Sequence, residues 1–214
     1  MDFHGNPEFT IHENVAWDYI PYSSKLEKLA KTADAVCFGT LAQRSEVSRQ
    51  TIHSFLKSTK RDCLLIYDIN IRQSFYSVDI IRESLLLSHC LKLNEKELPI
   101  VAEMFSLRGS EDEILKTLIR EFNLKIVTLT KGEKGSKLVT ADEYSILESS
   151  QVNVEDTVGA GDSFTAALAV GLLKNLPLKI IHRNANILAA YVCSQKGATP
   201  FIPEELKSEI LSAH

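Results

Sequence analysis

The sequence predicts an α/β fold in which helices cover both faces of a mostly parallel sheet. Short apolar runs alternate with helical patterns of roughly 10–15 residues between residues 33 and 130, and this alternation is typical of βαβ units. The run DCLLIYDIN (62–70) is apolar at nearly every position, as expected of a parallel strand that is buried on both faces. We therefore expect one α/β domain.

The first part of the chain supplies the βαβ units. Strands are expected at 33–40, 62–70, 90–94 and 125–130, and helices at 45–59, 77–88, 95–105 and 110–122. Ser45 and Ser110 are candidate caps, because a hydroxyl before a helix accepts a hydrogen bond from a free amide of the first turn.

The pattern changes after residue 130. The runs GSKLVT and EYSILE predict a hairpin, and three helices are expected at 160–175, 178–195 and 203–213. The run EFTIHENVAWDYI (8–20) has the pattern of a strand.

The composition is that of an ordinary globular protein. The 214 residues are 44% hydrophobic and 24% charged, with a net charge of −4. This balance predicts neither a nucleic-acid partner nor binding to an anionic membrane, since both favour a basic surface. No apolar run reaches the roughly 18 residues of a membrane span, and the start MDFHGNPEFT does not resemble a signal peptide. We expect a cytoplasmic protein.

Candidate functional residues share one position, just beyond the end of a predicted strand or hairpin, where open α/β sheets bind their ligands. They are Asp68, Asn70 and Arg72 after the second strand, Asn94 and Glu97 after the third, Thr130, Lys131, Gly132 and Gly135 after the fourth, and the loop 159–162 after the hairpin.

The stretch DTVGAGDSFTAAL (156–168) carries the strongest signal. Gly159 and Gly161 let the chain turn without a Cβ clash and approach a ligand closely. The amides that follow are the free N–H groups of a helix start, which together with the helix dipole form an anion site. Asp162 has two interpretations from the residues alone: a helix-start residue favoured by the dipole, or a general base that acts on a hydroxyl beside a phosphate.

These residues resemble a known family. DTVGAGDSFTAALAVGLL is similar to the C-terminal signature of the PfkB, or ribokinase-like, sugar and nucleoside kinases. YDINIRQSFY, LKLNEKEL and TLTKGEKGS also resemble that family, in its order, and bacterial fructokinase-type members are the most similar. The resemblance covers about residues 10 to 205 and implies a three-layer α/β/α sandwich.

The resemblance implies roles at the glycine-rich loop. Asp162 would deprotonate a sugar hydroxyl for attack on the γ-phosphate of ATP. The amides of Gly159, Ala160 and Gly161 would form the anion hole for the charge that develops during transfer.

The remaining roles follow from the other motifs. Asn94 and Glu97 match the Asn-x-x-Glu motif, in which Glu97 would place Mg²⁺ through water. The other implied contacts are with phosphate or sugar (Asn70, Arg72 and Asn94) and with the nucleotide (Thr130, Gly132, Gly135 and Asn186). The implied ligands are ATP, Mg²⁺ and a small sugar. A monovalent cation such as K⁺ and a homodimer remain options, and neither nucleic acid nor membrane is implied.

Two features of the family are not found. The sequence has no GGA or GGN sugar-binding motif and no lid-like run of strands before residue 33. We expect residues 1–22 to be the remnant of a lid and N-terminal strand region, with the first strands and the lid missing. Residues 23–214 are expected to form the nucleotide-binding and catalytic α/β domain.

Three functions are open at this point. The first is ATP-dependent phosphorylation of a sugar hydroxyl, for which fructose is the preferred substrate and other sugars or a nucleoside are alternatives. The second is a truncated, non-catalytic protein that binds a nucleotide or a phosphosugar. The third is a Rossmann-type dinucleotide-binding protein, but no G-x-G-x-x-G motif follows an early strand, which argues against it.

Overall fold

The computed structural model describes residues 10–211, which form the predicted α/β architecture. Six strands build one sheet in which each strand pairs with its neighbour in the chain. They are β1 (Ala35–Phe38), β2 (Leu64–Asp68), β3 (Cys90–Asn94), β4 (Ile126–Thr130), β5 (Ser136–Val139) and β6 (Tyr144–Leu147). Strands β1 to β4 are parallel, whereas β5 and β6 each run antiparallel to the preceding strand. The predicted hairpin is therefore confirmed.

Helices cover both faces of this sheet and complete three layers. They are α1 (Ser24–Thr32), α2 (Glu46–Lys57), α3 (Val78–Leu87), α4 (Glu97–Met104), α5 (Glu111–Phe122), α6 (Ala160–Leu173), α7 (Leu178–Cys193) and α8 (Glu204–Leu211). One core cluster joins the sheet to α2–α5, and a second joins the other face to α6–α8. Ile66 and Tyr67 of β2 are both fully buried, one in each cluster, which explains why β2 is apolar at successive positions.

The start of the described chain differs from the prediction. The strand expected at 8–20 is wrong for residues 10–20, which contain a 3₁₀ turn at Ala16–Asp18; residues 8 and 9 lie outside the described part. The backbone of this segment bonds to α2 instead of a strand: the Ser48 hydroxyl donates to Trp17 O, and Ile20 N donates to the same hydroxyl.

The two predicted helix caps, Ser110 and Ser45, have different outcomes. Ser110 caps α5 as predicted, with its hydroxyl accepting from Glu113 N. Ser45 precedes α2 but makes no capping bond; its hydroxyl donates to Asp18 O. Helix α1 was not predicted; it begins after Ser23, whose hydroxyl accepts from Leu26 N. The predicted last helix agrees with α8 up to residue 211, and residues 212 and 213 lie outside the description.

None of the helices within residues 10–211 is both long enough and apolar enough to cross a membrane.

Candidate active site

The carboxyl ends of β2, β3 and β4 and the start of α6 surround a polar cavity of about 330 Å³. Its lining contains most of the residues that the sequence singled out. They are Asp68, Asn70, Arg72, Lys92, Asn94, Glu97, Thr130, Thr157, Val158, Gly159, Gly161 and Asp162. The predicted candidates that are not in this lining are Lys131, Gly132, Gly135, Ala160 and Asn186. The fold therefore brings four separate stretches of sequence to one place.

The two glycines at the start of α6 have different physical roles. Gly159 has a left-handed φ of 84°, and a Cβ there would lie 2.3 Å from Ala198 O, so the turn requires glycine. Gly161 lies inside the helix without a positive φ, and a Cβ there would meet only Lys92 Nζ, at 3.4 Å. The expectation that both glycines serve the turn is correct for Gly159 and wrong for Gly161, whose small size leaves space above Lys92.

The start of α6 presents free amides to the cavity. Ala160 N donates to Thr157 O over a long 3.4 Å contact, whereas Gly161 N and Asp162 N have no acceptor within residues 10–211. Free N–H groups at the start of a long helix attract an anion, because the helix dipole is positive there.

Asp162 is the third residue of α6, and its side chain is exposed in the cavity. Its carboxylate makes no hydrogen bond and no ion pair with any residue in the described range. Asp162 therefore lies in the first turn of α6, where the helix dipole favours a carboxylate, but it makes no capping bond with a described residue. A carboxylate without a partner retains its full capacity to accept a proton or a hydrogen bond.

Asn94, the last residue of β3, and Glu97, the first residue of α4, exchange two hydrogen bonds. Asn94 Oδ1 accepts from Glu97 N over 3.0 Å, and Glu97 Oε2 accepts from Asn94 N over 2.8 Å, which is the arrangement of a capping box. The second carboxylate oxygen, Glu97 Oε1, accepts from Ile71 N over 2.8 Å. Glu97 thus ties α4 to the loop that carries Asn70 and Arg72.

Burial changes the acidity of this carboxylate. Glu97 is only 4% exposed, and burial raises its pKa above the ordinary value, opposed by the two backbone amides that favour the charged form. Each oxygen is bonded to one amide and keeps a second lone pair. The residue therefore fits the water-mediated placement of Mg²⁺ that the sequence predicted.

Asn94 and Arg72 have unused donors in the cavity. Asn94 Oδ1 already accepts from Lys96 N and Glu97 N, so Nδ2 is the end of its amide without a partner in the described part of the chain. Arg72 is exposed and forms no ion pair with a described residue. Asn70 adopts a left-handed φ of 41° at the turn that leads to Arg72. Two groups with free N–H donors suit an anionic ligand.

Lys92 lines the cavity but was not predicted as a site residue, whereas Asp68 was a candidate to which no particular role was assigned. Lys92 Nζ lies 2.5 Å from Asp68 Oδ2, and the Thr165 hydroxyl lies 3.2 Å from the same oxygen. Lys92 is 6% exposed and pairs in register with Asp68 across β2 and β3. The available signal was a lysine inside the buried strand CLKLN, two residues before Asn94 and so on the same face.

The predicted nucleotide-binding residues lie at the edge of the cavity or outside it. Thr130 lines the cavity, and Gly132, with φ 57°, has open space where a Cβ would be. Gly135 serves the hairpin, since a Cβ there would lie 2.1 Å from Leu147 O. Asn186 also holds the hairpin: its Oδ1 accepts from the Ser136 hydroxyl, and its Nδ2 donates to Glu148 O. Their contact with a nucleotide stays a prediction.

A larger polar groove of about 550 Å³ runs along α2 and α3. It contains none of the predicted site residues, and its Arg49 and Glu83 pair with each other over 2.7 Å. The smaller cavity is therefore the better candidate active site, because its charged groups are less completely paired.

The fold and the cavity at the start of α6 define a protein of the ribokinase-like class of kinases. A crystal structure of an uncharacterized sugar kinase, PH1459 from Pyrococcus horikoshii, has a TM-score of 0.79 and 28% identity, covering 97% of this chain and 69% of that chain. A fructokinase from Vibrio cholerae O395, in its fructose, ADP and calcium ion bound form, has a TM-score of 0.63 at 22% identity over 78% of this chain and 57% of that chain, and shares the fold.

The sequence places the chain within one family of that class. Residues 2–205 match the pfkB family of carbohydrate kinases, and the chain belongs to this family. It is 29% identical to the Pyrococcus horikoshii protein, covering 94% of this chain and 64% of that protein, and 27% identical to fructokinase-1 of Zea mays, covering 94% and 65%. The chain thus spans less than two thirds of these relatives. The predicted family resemblance and three-layer fold are confirmed.

Proposed function

We propose that the protein represented by this chain transfers the γ-phosphate of ATP to a sugar hydroxyl, with fructose as the preferred substrate. The observation that carries the proposal is the unpartnered carboxylate of Asp162 beside the free amides at the start of α6. A phosphate held by those amides and a hydroxyl next to Asp162 would lie within one cavity. Transfer between them needs positioning and charge stabilisation more than covalent chemistry by the protein.

The proposed reaction forms one bond to phosphorus, breaks another and transfers one proton. The sugar oxygen attacks the γ-phosphorus, the bond from that phosphorus to the bridging oxygen breaks, and ADP leaves with the electron pair. Asp162 accepts the hydroxyl proton. Of the predicted amides of Gly159, Ala160 and Gly161, that of Ala160 donates to Thr157 O. The amides of Gly159 and Gly161, together with that of Asp162, would stabilise the charge on the transferred group.

The other lining residues have supporting roles in this proposal. Arg72, Asn70 and Asn94 Nδ2 contact phosphate or sugar. Glu97 would hold Mg²⁺ through water, and the ion when bound neutralises phosphate charge. The nucleotide lies towards Thr130 and Gly132, with Gly135 and Asn186 shaping the hairpin beside it. Residues 23–214 form the proposed nucleotide-binding and catalytic unit.

Similar proteins support the substrate class. The Zea mays relative is named a fructokinase, and the Pyrococcus horikoshii sugar kinase has been crystallised in complex with ATP. These names motivate the choice of ATP as donor and fructose as the first acceptor to be tried.

The test is identification of a product. The chain is incubated with Mg²⁺ and ATP and with fructose, other hexoses, ribose or a nucleoside, with and without K⁺, and phosphorylated products are identified by mass spectrometry. A fructose phosphate formed only in the presence of the protein is the expected result. ATP binding without any phosphorylated acceptor would instead favour the second candidate, a non-catalytic nucleotide-binding protein.

A further inference from the structure

The polar groove between α2 and α3 is a second cavity, and it shares no lining residue with the candidate active site. Six of its side chains come from α2 and one from α3. The lining residues are Glu46, Arg49, Gln50, His53, Ser54, Lys57 and Glu83. The proposed phosphoryl transfer uses none of them, so the groove has no role in that reaction.

Two cations and a histidine form a line along the groove. Arg49, His53 and Lys57 follow one another at intervals of four residues on α2, and residues at this spacing lie on the same face of a helix. Burial lowers the pKa of His53, Glu83 raises it, Arg49 and Lys57 lower it, and Glu46 raises it. The positive groups of the line therefore act against protonation of His53, and an anion placed among them would favour it.

The unpaired charge of the groove belongs to a hydrogen-bond donor. Glu83 Oε2 accepts from Arg49 Nη2 over 2.7 Å, and Glu46 Oε1 accepts from Gln50 Nε2 over 2.8 Å. Lys57, in contrast, is exposed and makes no ion pair or hydrogen bond with any residue from 10 to 211. Arg49 also keeps Nε and Nη1 without an acceptor in that range. Unused N–H donors on cations suit the oxygens of a phosphate group.

Gln43, which is only 1% exposed, fixes the orientation of the His53 ring. Gln43 Nε2 donates to Gly39 O over 2.8 Å and to Ser84 Oγ over 2.9 Å. Because both amide hydrogens are used there, Gln43 Oε1 accepts from His53 Nε2 at 3.2 Å, and Nε2 carries a proton. The other ring nitrogen, Nδ1, lies 3.7 Å from Glu83 Oε2. Protonation of Nδ1 would thus add a donor on the side of the groove.

We propose that the groove between α2 and α3 is a binding site for a small molecule that bears a phosphate group. Arg49, His53 and Lys57 bind the phosphate oxygens. The groove, at about 550 Å³, also has space for the rest of a phosphate ester. The proposal requires neither ATP nor a sugar in the candidate active site, so it stands separately from the proposed function.

Proton NMR of the His53 ring measures occupancy of the groove. The His53→Gln variant identifies the ring resonances, and inorganic phosphate or glycerol 3-phosphate is titrated into the unaltered chain at constant pH and ionic strength, without nucleotide. The His53 resonances should shift to a saturating value. A pH series with saturating phosphate should show a higher pKa of His53 than a series without it, because a nearby anion stabilises the imidazolium.

Two lysine variants separate binding in the groove from a general effect of charge. Lys57→Met should weaken phosphate binding by about 10- to 100-fold, as expected for the loss of a charged hydrogen bond. Lys179 is the matched control, because it is also exposed on a helix but α7 packs on the opposite face of the sheet. Lys179→Met should change the affinity by less than about twofold.

Saturation of the His53 shift, with a loss of affinity in Lys57→Met but not in Lys179→Met, supports the site. Within that result, tighter binding of glycerol 3-phosphate identifies an ester as the ligand, and equal binding identifies free phosphate. A His53 shift that does not saturate, or an equal affinity in the two lysine variants, overturns the proposal. Neither result bears on phosphoryl transfer, because no nucleotide is present in the titration.

Discussion

The starts of α4 and α5 have the same hydrogen-bond pattern in different surroundings. In α5, Glu113 Oε2 accepts from Ser110 N over 2.7 Å, and Ser110 Oγ accepts from Glu113 N over 3.4 Å. In α4, Glu97 and Asn94 exchange the equivalent pair of bonds. Each glutamate follows its partner by three residues, as in a capping box.

The pKa values of these two glutamates move in opposite directions. Glu113 is exposed, and the backbone amide and hydroxyl of Ser110 lower its pKa. Glu97 is buried, and loss of water raises its pKa. Glu97 also accepts from Ile71 N, whereas both partners of Glu113 lie within its own cap. The comparison teaches that a glutamate with the same pair of hydrogen bonds becomes a candidate functional group only when it is buried beside a cavity.

Asp162 is a third acid in the first turn of a helix, and it differs from both glutamates because it has no described partner. Asp162→Asn should lower the rate of phosphoryl transfer by about 10²- to 10⁴-fold, the usual contribution of a general base, with ATP affinity nearly unchanged. Glu113→Gln is the matched control and should leave the rate unchanged. Rates come from coupled ADP detection and affinities from calorimetry. A large loss of ATP binding in Asp162→Asn would contradict the base assignment.

Replacing Glu97 or Glu113 by alanine tests this comparison, because the two variants should lose different amounts of unfolding free energy. Glu97→Ala leaves the amides of Asn94 and Ile71 without an acceptor, and each unsatisfied buried donor costs about 1–3 kcal/mol. Glu113→Ala should cost less, because water replaces the lost acceptor at an exposed site. Urea unfolding of both variants measures the difference. Equal losses of unfolding free energy in the two variants would contradict the effect assigned to the burial of Glu97.

Gly159 and Gly161 at the start of α6 provide a second stability comparison, which depends on backbone conformation. Gly159→Ala should destabilise the protein by about 1–3 kcal/mol, the usual cost of a strained backbone conformation. Gly161→Ala should change stability by less than about 0.5 kcal/mol, because its backbone is helical. Thermal unfolding of both variants checks this ranking, and a larger loss for Gly161→Ala would show that the helix start is built differently.

The smallest expected effect is a dependence on pH. Because the pKa of Glu113 is lowered from its ordinary value of 4.5, the folded state binds fewer protons than the unfolded state below that pH. Its stabilising contribution is therefore present above pH 4.5 and lost as the pH falls through the lowered value. The difference in urea midpoint between the unaltered chain and Glu113→Gln should shrink from pH 6 to pH 3.5. A difference in urea midpoint that grows from pH 6 to pH 3.5 would contradict the predicted direction of this pH dependence.

Local patterns were sufficient to predict most elements and the place of the site. The bounds of β3 match the prediction, because CLKLN ends at the polar turn that follows Asn94. The gathering of Asn70, Asn94 and Asp162 at one edge followed from the parallel sheet, which brings the carboxyl ends of its strands together.

What could not be predicted depends on contacts between distant residues. The predicted cap at Ser45 is wrong, and the contact that its hydroxyl makes instead is with a carbonyl group 27 residues away. The segment 10–20 has the pattern of a strand, but α2 supplies its hydrogen-bond partners. Lys92 was not among the predicted site residues, and only the register of β2 with β3 shows that Asp68 lies next to it.

The first measurement to make is the initial rate of ADP release from Mg²⁺-ATP by the unaltered 214-residue chain, with fructose and without any sugar. If the cavity at the start of α6 transfers phosphate to a sugar hydroxyl, fructose should raise the rate well above the sugar-free rate. ADP release that is the same with and without every sugar tried, in a chain that binds ATP, would contradict a sugar kinase activity of this chain.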